Sequence, residues 1–524
     1  MPGSPGKHTP DPENAMDRMP ATGRLPSRGP DPVCLVDTTL RDGLQSLWAS
    51  WIGPDLFREV APAIDRAGFW AMEVPFNPIF FRKMLRDLKI NPWELCRLVG
   101  RTVQRTRRAC MVGTLLRGFE YRAPKSLLRL YLQKIAETKA LVRAQMTPNR
   151  MDELEIDFPY MVPLLKELGY EVVVAIAYDD TPRHTAGYYV EQVNRALRFP
   201  VDAIYLKDFG GILTPERAQE ILPAMKNACG PVPFELHSHC TIGLADMAYV
   251  EAVRAGVRIL HTGIPPLASG TAQPSIFRTL RNLQALGGSC QVDLVEVEAA
   301  SKALRRIGAD HGFPEGSPSE FDLGYFEHRV PGGVLSNLQY QLRELGLEDR
   351  LEEVLQEVVR VRRELGYPMM ITPYAQMVVT QAAFNVATGR RYEVVPDDVI
   401  RFALGWFGKE SGADQMDPDV RDRILGRQRA REIQQALQRE EEEREKGVEE
   451  IKREMGYVFR DDEEFLNAVI YEGYARTEGP GSPEGLPSLE RSQVRPRERR
   501  VYVEVRRGEA RALLVLHPGP REER

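Results

Sequence analysis

The sequence predicts a TIM (β/α)8 barrel followed by a mostly helical domain, and three observations carry that prediction. From Pro32 to about Gln291, short apolar strand candidates alternate with stretches of helical periodicity. Eight βα units over roughly 250 residues is the usual count and length for such a barrel. No Gly-rich phosphate loop follows the first strand, although the rival fold, a doubly wound open sheet, would more often show one. Beyond Gln291 the strand pattern stops, and apolar residues recur at three- and four-residue spacing.

Taken in order, Val33–Leu40 is the first strand candidate, with a helix through Leu56 to Ala67 behind it. Ala71–Val74 and Ala109–Leu116 are the second and third. Ala140–Ala144 is the fourth, interrupted by Arg143. Glu171–Tyr178 (EVVVAIAY) reads as a buried strand because it is a run of β-branched and apolar residues. The sixth lies in AIYLKDFGGILTP (203–215), the seventh in VPFELHSHCTIG (232–243), and the eighth is Ile259–Ile264. Helical patterns such as Tyr160–Leu168 and Pro215–Cys229 lie between them. The expected organisation is an N-terminal arm (1–31), the barrel (32–290) and a helical domain (291–426). A charged helical region (427–476), a Pro/Gly/Ser/Glu-rich linker (477–497) and a terminal hairpin (498–524) complete it. Arg427–Met455 reads as one almost continuous charged helix, solvated or facing a partner.

Composition narrows the class. A hydrophobic fraction of 43% with 28% charged residues describes an ordinary globular protein. A net charge of −5 gives no electrostatic reason to expect nucleic acid. The six cysteines have no CxxC spacing, which points to reduced thiols and a cytoplasmic location. No apolar run is long enough to span a bilayer.

The chemistry concentrates at strand ends. His237 and His239 are two residues apart, so in a strand both imidazoles project from one face, a plausible half of a metal site. Lys207-Asp208 closes the preceding strand, and an acidic strand end, Asp37 to Asp42, lies near the start. In a TIM barrel such positions share the catalytic face.

Six blocks in collinear order carry a resemblance. They are DTTLRDGLQSLWAS (37–50), NPWE (91–94) with LLRG (115–118), LKDFGGILTP (206–215), LHSHCTIG (236–243), PPLASGTAQPS (265–275) and EHRVPGGVLSNLQYQL (327–342). With TPYAQMVVTQAAFNVATGRRY (372–392), they resemble the carboxyltransferase domain of biotin-dependent enzymes acting on 2-oxo acids, over roughly Pro32 to Leu425. That family includes pyruvate carboxylase, the oxaloacetate decarboxylase alpha subunit and the large transcarboxylase subunit. The resemblance implies a divalent metal (zinc, manganese or cobalt) on Asp42, a carbamylated Lys207, His237 and His239. It implies substrate contacts from Gln45 and Arg117, and a catalytic arginine, Arg41, beside the metal aspartate. Ser336 stands where the family usually has a proton-shuttling threonine; read by itself, it is a helix-cap serine before Asn337. The implied activity is a pyruvate/oxaloacetate carboxyltransferase. No AMKM-type biotinyl-lysine motif or ATP-grasp segment is present, so a biotin carrier, and any biotin carboxylase subunit, are expected as separate chains. A homo-oligomer is expected.

The chain departs from the family pattern in several places. PFNPIFF (75–81) replaces a block that ends in aspartate, so Phe81 stands where the usual partner of Arg41 would be. Tyr121 matches the family's tyrosine only loosely, and Met146 replaces an aspartate near Asn149. Cys240 replaces the aspartate after the second histidine. A metal-dependent aldol-type lyase or synthase related to hydroxymethylglutaryl-CoA lyase, or a non-catalytic scaffold subunit, are the competing readings. Lys207, the PGG block and the helical domain favour the carboxyltransferase.

Overall fold

The computed structural model describes residues 32–113, 123–147, 154–344, 347–371, 373–408 and 411–472, and the strand pair 501–507 and 510–516. Eight strands form the barrel: β1 (Cys34–Asp37), β2 (Ala71–Glu73), β3 (Arg107–Met111), β4 (Arg143–Met146), β5 (Glu171–Ala177), β6 (Ala203–Asp208), β7 (Phe234–Ser238) and β8 (Ile259–Thr262). Each pairs in parallel with the next, and β1 closes the ring on β8, Asp37 opposite Thr262. The open-sheet alternative is thereby excluded. Lys207 lies directly opposite His237 in the β6–β7 register.

Several strands differ from their expected bounds. β1 ends at Asp37, because Thr39–Gly43 forms a wide helical turn. β3 starts earlier, at Arg107, and stops at Met111. β4 begins at the residue expected to interrupt it. Arg143 points into the barrel, almost fully buried, where Glu235 and Glu171 neutralise it. A charge inside a strand breaks a hydrophobic pattern without breaking the strand when the barrel interior supplies its counter-charge.

Local chemistry starts the outer helices. The side chains of Asn77, Asn91, Thr185 and Thr214 each accept a hydrogen bond from a backbone N–H in the first turn of the next helix, with proline at the first helical position after three of them. Phe81 falls on the first of these helices and is fully buried, edge-on to Trp93 and Tyr131. It is core, which explains why an apolar residue is tolerated there.

The helices after the barrel build a second apolar core from Val354, Val358, Val361, Tyr374, Val378 and Phe402, among others. The two cores meet at Asp179, which lies just beyond β5 and is gripped by Arg329 and Arg362. Burial opposes its charge, yet the two guanidiniums hold the Asp179 carboxyl well below the usual range.

The charged region is not one helix. Gln428–Glu443 and Val448–Met455 are separate, because Arg444 turns inward and pairs with the buried Asp157 at 3.0 Å. Nor is the segment beyond it solvated. Ile451, Phe465, Leu466 and Ile470 are buried in the barrel's own hydrophobic cluster. Trp93 Nε1 donates to Asn467 Oδ1 at 2.9 Å, and Arg97 pairs with Glu463 at 2.6 Å. The tail returns to the barrel wall. Val501–Arg507 and Ala510–Leu516 form an antiparallel pair, β9 and β10. Among the described residues, no helix is long and apolar enough to cross a membrane. All six cysteines are free thiols.

Candidate metal centre

Asp42, Lys207, His237 and His239 come from three separate segments and converge at the carboxyl end of the barrel. The turn after β1 places Asp42. Thr39 Oγ1 donates to Asp37 Oδ1 and accepts the N–H of Ile264, which ties the turn to the β8 loop. Gly43 lets that turn close, because a Cβ there would meet the Leu267 carbonyl oxygen at 2.7 Å. Asp208 fixes the β6 loop by accepting the N–H groups of Ile212 and Leu213 and the Ser238 hydroxyl.

Asp42 Oδ2 is the vertex. It lies 3.4 Å from Lys207 Nζ, 3.3 Å from His237 Nε2 and 3.6 Å from His239 Nε2. Charge-assisted hydrogen bonds are shorter, about 2.7–2.9 Å. An ion with bonds of roughly 2.0–2.2 Å holds tetrahedral donors roughly 3.3–3.6 Å apart. The imidazole spacings match that edge length, as those of donors arranged around a common point would. Burial, with Lys207 adding to it, holds the His237 imidazole well below its usual pKa and therefore neutral. Burial opposes ionisation of Asp42, but Arg41, His239 and Lys207 keep its carboxyl well below the ordinary value. A neutral imidazole at His237 and an ionised Asp42 carboxylate are forms a divalent cation requires.

The residues behind the donors are ordered too. His239 Nδ1 donates to the Thr271 carbonyl at 2.6 Å, because a carbonyl only accepts, and that bond orients the ring with Nε2 toward Asp42. Gln273 Nε2 lies 3.1 Å from both histidine Nε2 atoms, and Thr38 Oγ1 donates to Gln273 Oε1 at 2.7 Å. Lys207 is fully buried, with Met111 Sδ 3.8 Å away and the Phe209 ring 4.8 Å away.

Arg41 does not lack a partner, as the loss of the family aspartate implied. Its Nη2 pairs with Glu73 and with Asp42, the latter at 2.8 Å. Glu73 closes β2, one strand over, and supplies the carboxylate that position 81 does not. Glu73, His237 and His261 form a second group whose donor atoms lie within 4.8 Å of one another. Those atoms are already engaged, Glu73 by Arg41 and the two histidines by a 3.1 Å Nδ1–Nδ1 contact. The Asp42 group is the better cation site.

Gln45 lies on the short helix after Asp42 and is exposed. Met146 is buried at the end of β4. Arg117, Tyr121 and Asn149 lie outside the described residues, as does the side chain of Ser336. The backbone of Ser336 is inside the helix Gly332–Glu344, not at its cap. Glu73, Gln273, His261 and Glu235 went unread in the sequence. The period-two rule would have found Glu235, two residues before His237 and on the same face.

The comparisons fit this geometry. A family described as HMGL-like matches residues 32–304, and one described as a conserved carboxylase domain matches residues 326–478. A pyruvate carboxylase subunit of Methanocaldococcus jannaschii is 33% identical over 396 residues, covering 75% of this chain and 68% of that protein. The 2-oxoglutarate carboxylase large subunit of Hydrogenobacter thermophilus is 29% identical over 398 residues, covering 75% of this chain and 60% of that protein. Among solved structures, the carboxyl transferase domain of Rhizobium etli pyruvate carboxylase with oxamate and biotin superposes with a TM-score of 0.71. Its identity is 20%, and the match covers 88% of this chain and 79% of that one.

Proposed function

The chain belongs to the HMGL-like family, in the branch of biotin-dependent carboxyltransferases that carries the conserved carboxylase domain, and on that premise we propose a carboxyl-transfer reaction. The protein moves a carboxyl group between carboxybiotin, carried on a separate chain, and a 2-oxo acid of the pyruvate/oxaloacetate type. The reaction takes place at a divalent metal held by Asp42, carbamylated Lys207, His237 and His239. One observation carries the reading: both imidazole Nε2 atoms face Asp42 Oδ2 at the spacing of metal donors, directly beside a fully buried lysine.

The charges favour carbamylation. A protonated Lys207 donates no lone pair, whereas addition of carbon dioxide to its neutral amine releases one proton and leaves a terminal carboxylate. Two carboxylates and two neutral imidazoles then neutralise a dication. When bound, the metal acts as a Lewis acid that polarises the 2-oxo group.

The chain's own residues do the rest. Arg41 is spent on Asp42 and Glu73, so its role is to hold the Asp42 carboxylate in place. Gln45, at the exposed rim, is free to orient the substrate, and Arg117 grips its carboxylate through two bonds. Carboxybiotin breaks its N–CO2 bond to give carbon dioxide and a basic ring nitrogen. The Ser336 hydroxyl passes the proton from the methyl group of the 2-oxo acid to that nitrogen, and the resulting enolate takes up the carbon dioxide. The conserved carboxylase domain behind the barrel favours this reading over an aldol-type lyase.

The test is oxaloacetate decarboxylation driven by free biotin, with 2-oxoglutarate carboxylation assayed in parallel. Activity in the unmodified chain, falling at least 100-fold in Lys207→Ala, is the expected result. Equal activity in Lys207→Ala would overturn the reading.

A further inference from the structure

Below the metal donors, the barrel interior holds a column of buried polar groups where such barrels usually hold layers of branched aliphatic residues. Glu235 lies on β7, two residues before His237 and one layer deeper. Its Oε1 accepts from Arg143 Nη2 at 2.5 Å, and its Oε2 meets His261 Nε2 at 3.0 Å. His261, on the neighbouring β8, turns its Nδ1 to His237 Nδ1 at 3.1 Å. Glu235, His237 and His261 have no solvent exposure. The His261 ring is pinned by stacking on Tyr205, with ring centroids 5.0 Å apart.

We propose that Glu235 and His261 are positioning residues that fix which nitrogen of His237 faces the metal; the proposal rests on the metal reading above. Each link has one direction. A guanidinium can only donate and an ionised carboxylate can only accept, so His261 Nε2 carries the proton it gives to Glu235. With a single proton on His261, its Nδ1 presents a lone pair, and His237 donates to it from Nδ1. That leaves the Nε2 lone pair of His237 aimed at the space beside Asp42 Oδ2. A carboxylate one layer below the metal donors thereby sets the tautomer of a metal ligand, with one histidine inserted in the usual carboxylate–histidine–metal arrangement.

Glu235→Gln reverses the chain with little change in shape. Arg143 still needs an acceptor, so the amide oxygen stays on Arg143 and the amide NH2 turns to His261 Nε2. His261 then protonates at Nδ1 and donates to His237, and the remaining proton of His237 moves to Nε2. Arg143 keeps a counter-charge in Glu171, at 3.2 Å.

Two measurements test this. In the metal-free unmodified protein, nitrogen-15 NMR of labelled histidines should show His237 protonated at Nδ1 and His261 at Nε2. A proton on His237 Nε2 would overturn the proposal, whether or not any variant folds. In zinc titrations against a competing chelator with bicarbonate present, Glu235→Gln should weaken binding about 10–100-fold. Glu235→Asp, which keeps the carboxylate, should restore part of the loss. A folded Glu235→Gln protein that binds zinc as tightly as the unmodified chain would reduce Glu235 to a structural ion-pair partner and overturn the proposal. If the unmodified chain binds no zinc, the metal reading fails, and the NMR result still decides the tautomer.

Discussion

Asp42 and Asp179 are both buried aspartates in loops beyond the carboxyl ends of barrel strands, and both meet arginine, yet their surroundings differ. Around Asp179 both oxygens are taken: Oδ1 by Arg329 and the Asp180 N–H, Oδ2 by Arg362 at 2.5 Å. Around Asp42, Arg41 approaches Oδ2 to 2.8 Å, while the lysine and both histidines stand off at 3.3–3.6 Å. The first carboxylate is saturated and locks the barrel to the helical domain. The second has its partners held at a distance by their own backing groups, so coordinating capacity is left over. Burying a charge is costly in either place; a clamp offsets the cost at Asp179, and at Asp42 the proposed function assigns that role to an ion.

The comparison can be broken by substitution, and Asp179→Asn should have the largest effect. It leaves two buried guanidiniums without a counter-charge and should cost about 3–5 kcal/mol. Chemical denaturation should show the loss, with the helical domain melting first, while zinc affinity of the still-folded protein stays unchanged. Unchanged stability would mean that Asp179 is not the clamp described.

Glu73→Gln should have a smaller effect. Arg41 keeps Asp42, so the loss should be about 1–3 kcal/mol. Zinc binding should persist, because Glu73 is spent on Arg41 and is not a ligand. Complete loss of zinc from a folded Glu73→Gln protein would instead assign the ion to the Glu73, His237 and His261 group.

Much of this was legible in the sequence. Strand-loop-helix alternation gave the barrel, and the RDGLQ, Lys207-Asp208 and His237/His239 segments, each at a strand end, marked side chains that the structure brings together. What stayed hidden was pairing across strands. Glu73 is the last residue of a three-residue strand, and nothing in AME marks it as the partner of an arginine 32 positions away. Arg143 looked like an interruption because its counter-charge, Glu235, is 92 residues distant. The charged run Arg427–Met455 looked solvated because its composition is polar. The apolar residues that seat the tail on the barrel, Ile451 and Phe465 among them, are too sparse to stand out as a pattern.

The most direct test of the central claim is the metal content of the purified chain, measured by elemental analysis after equilibration with zinc and bicarbonate and removal of loose ions. The account predicts about one zinc per chain in the unmodified protein and none in Asp42→Ala, with both proteins folded by circular dichroism. An unmodified protein without zinc, or an Asp42→Ala protein that retains it, would contradict the account.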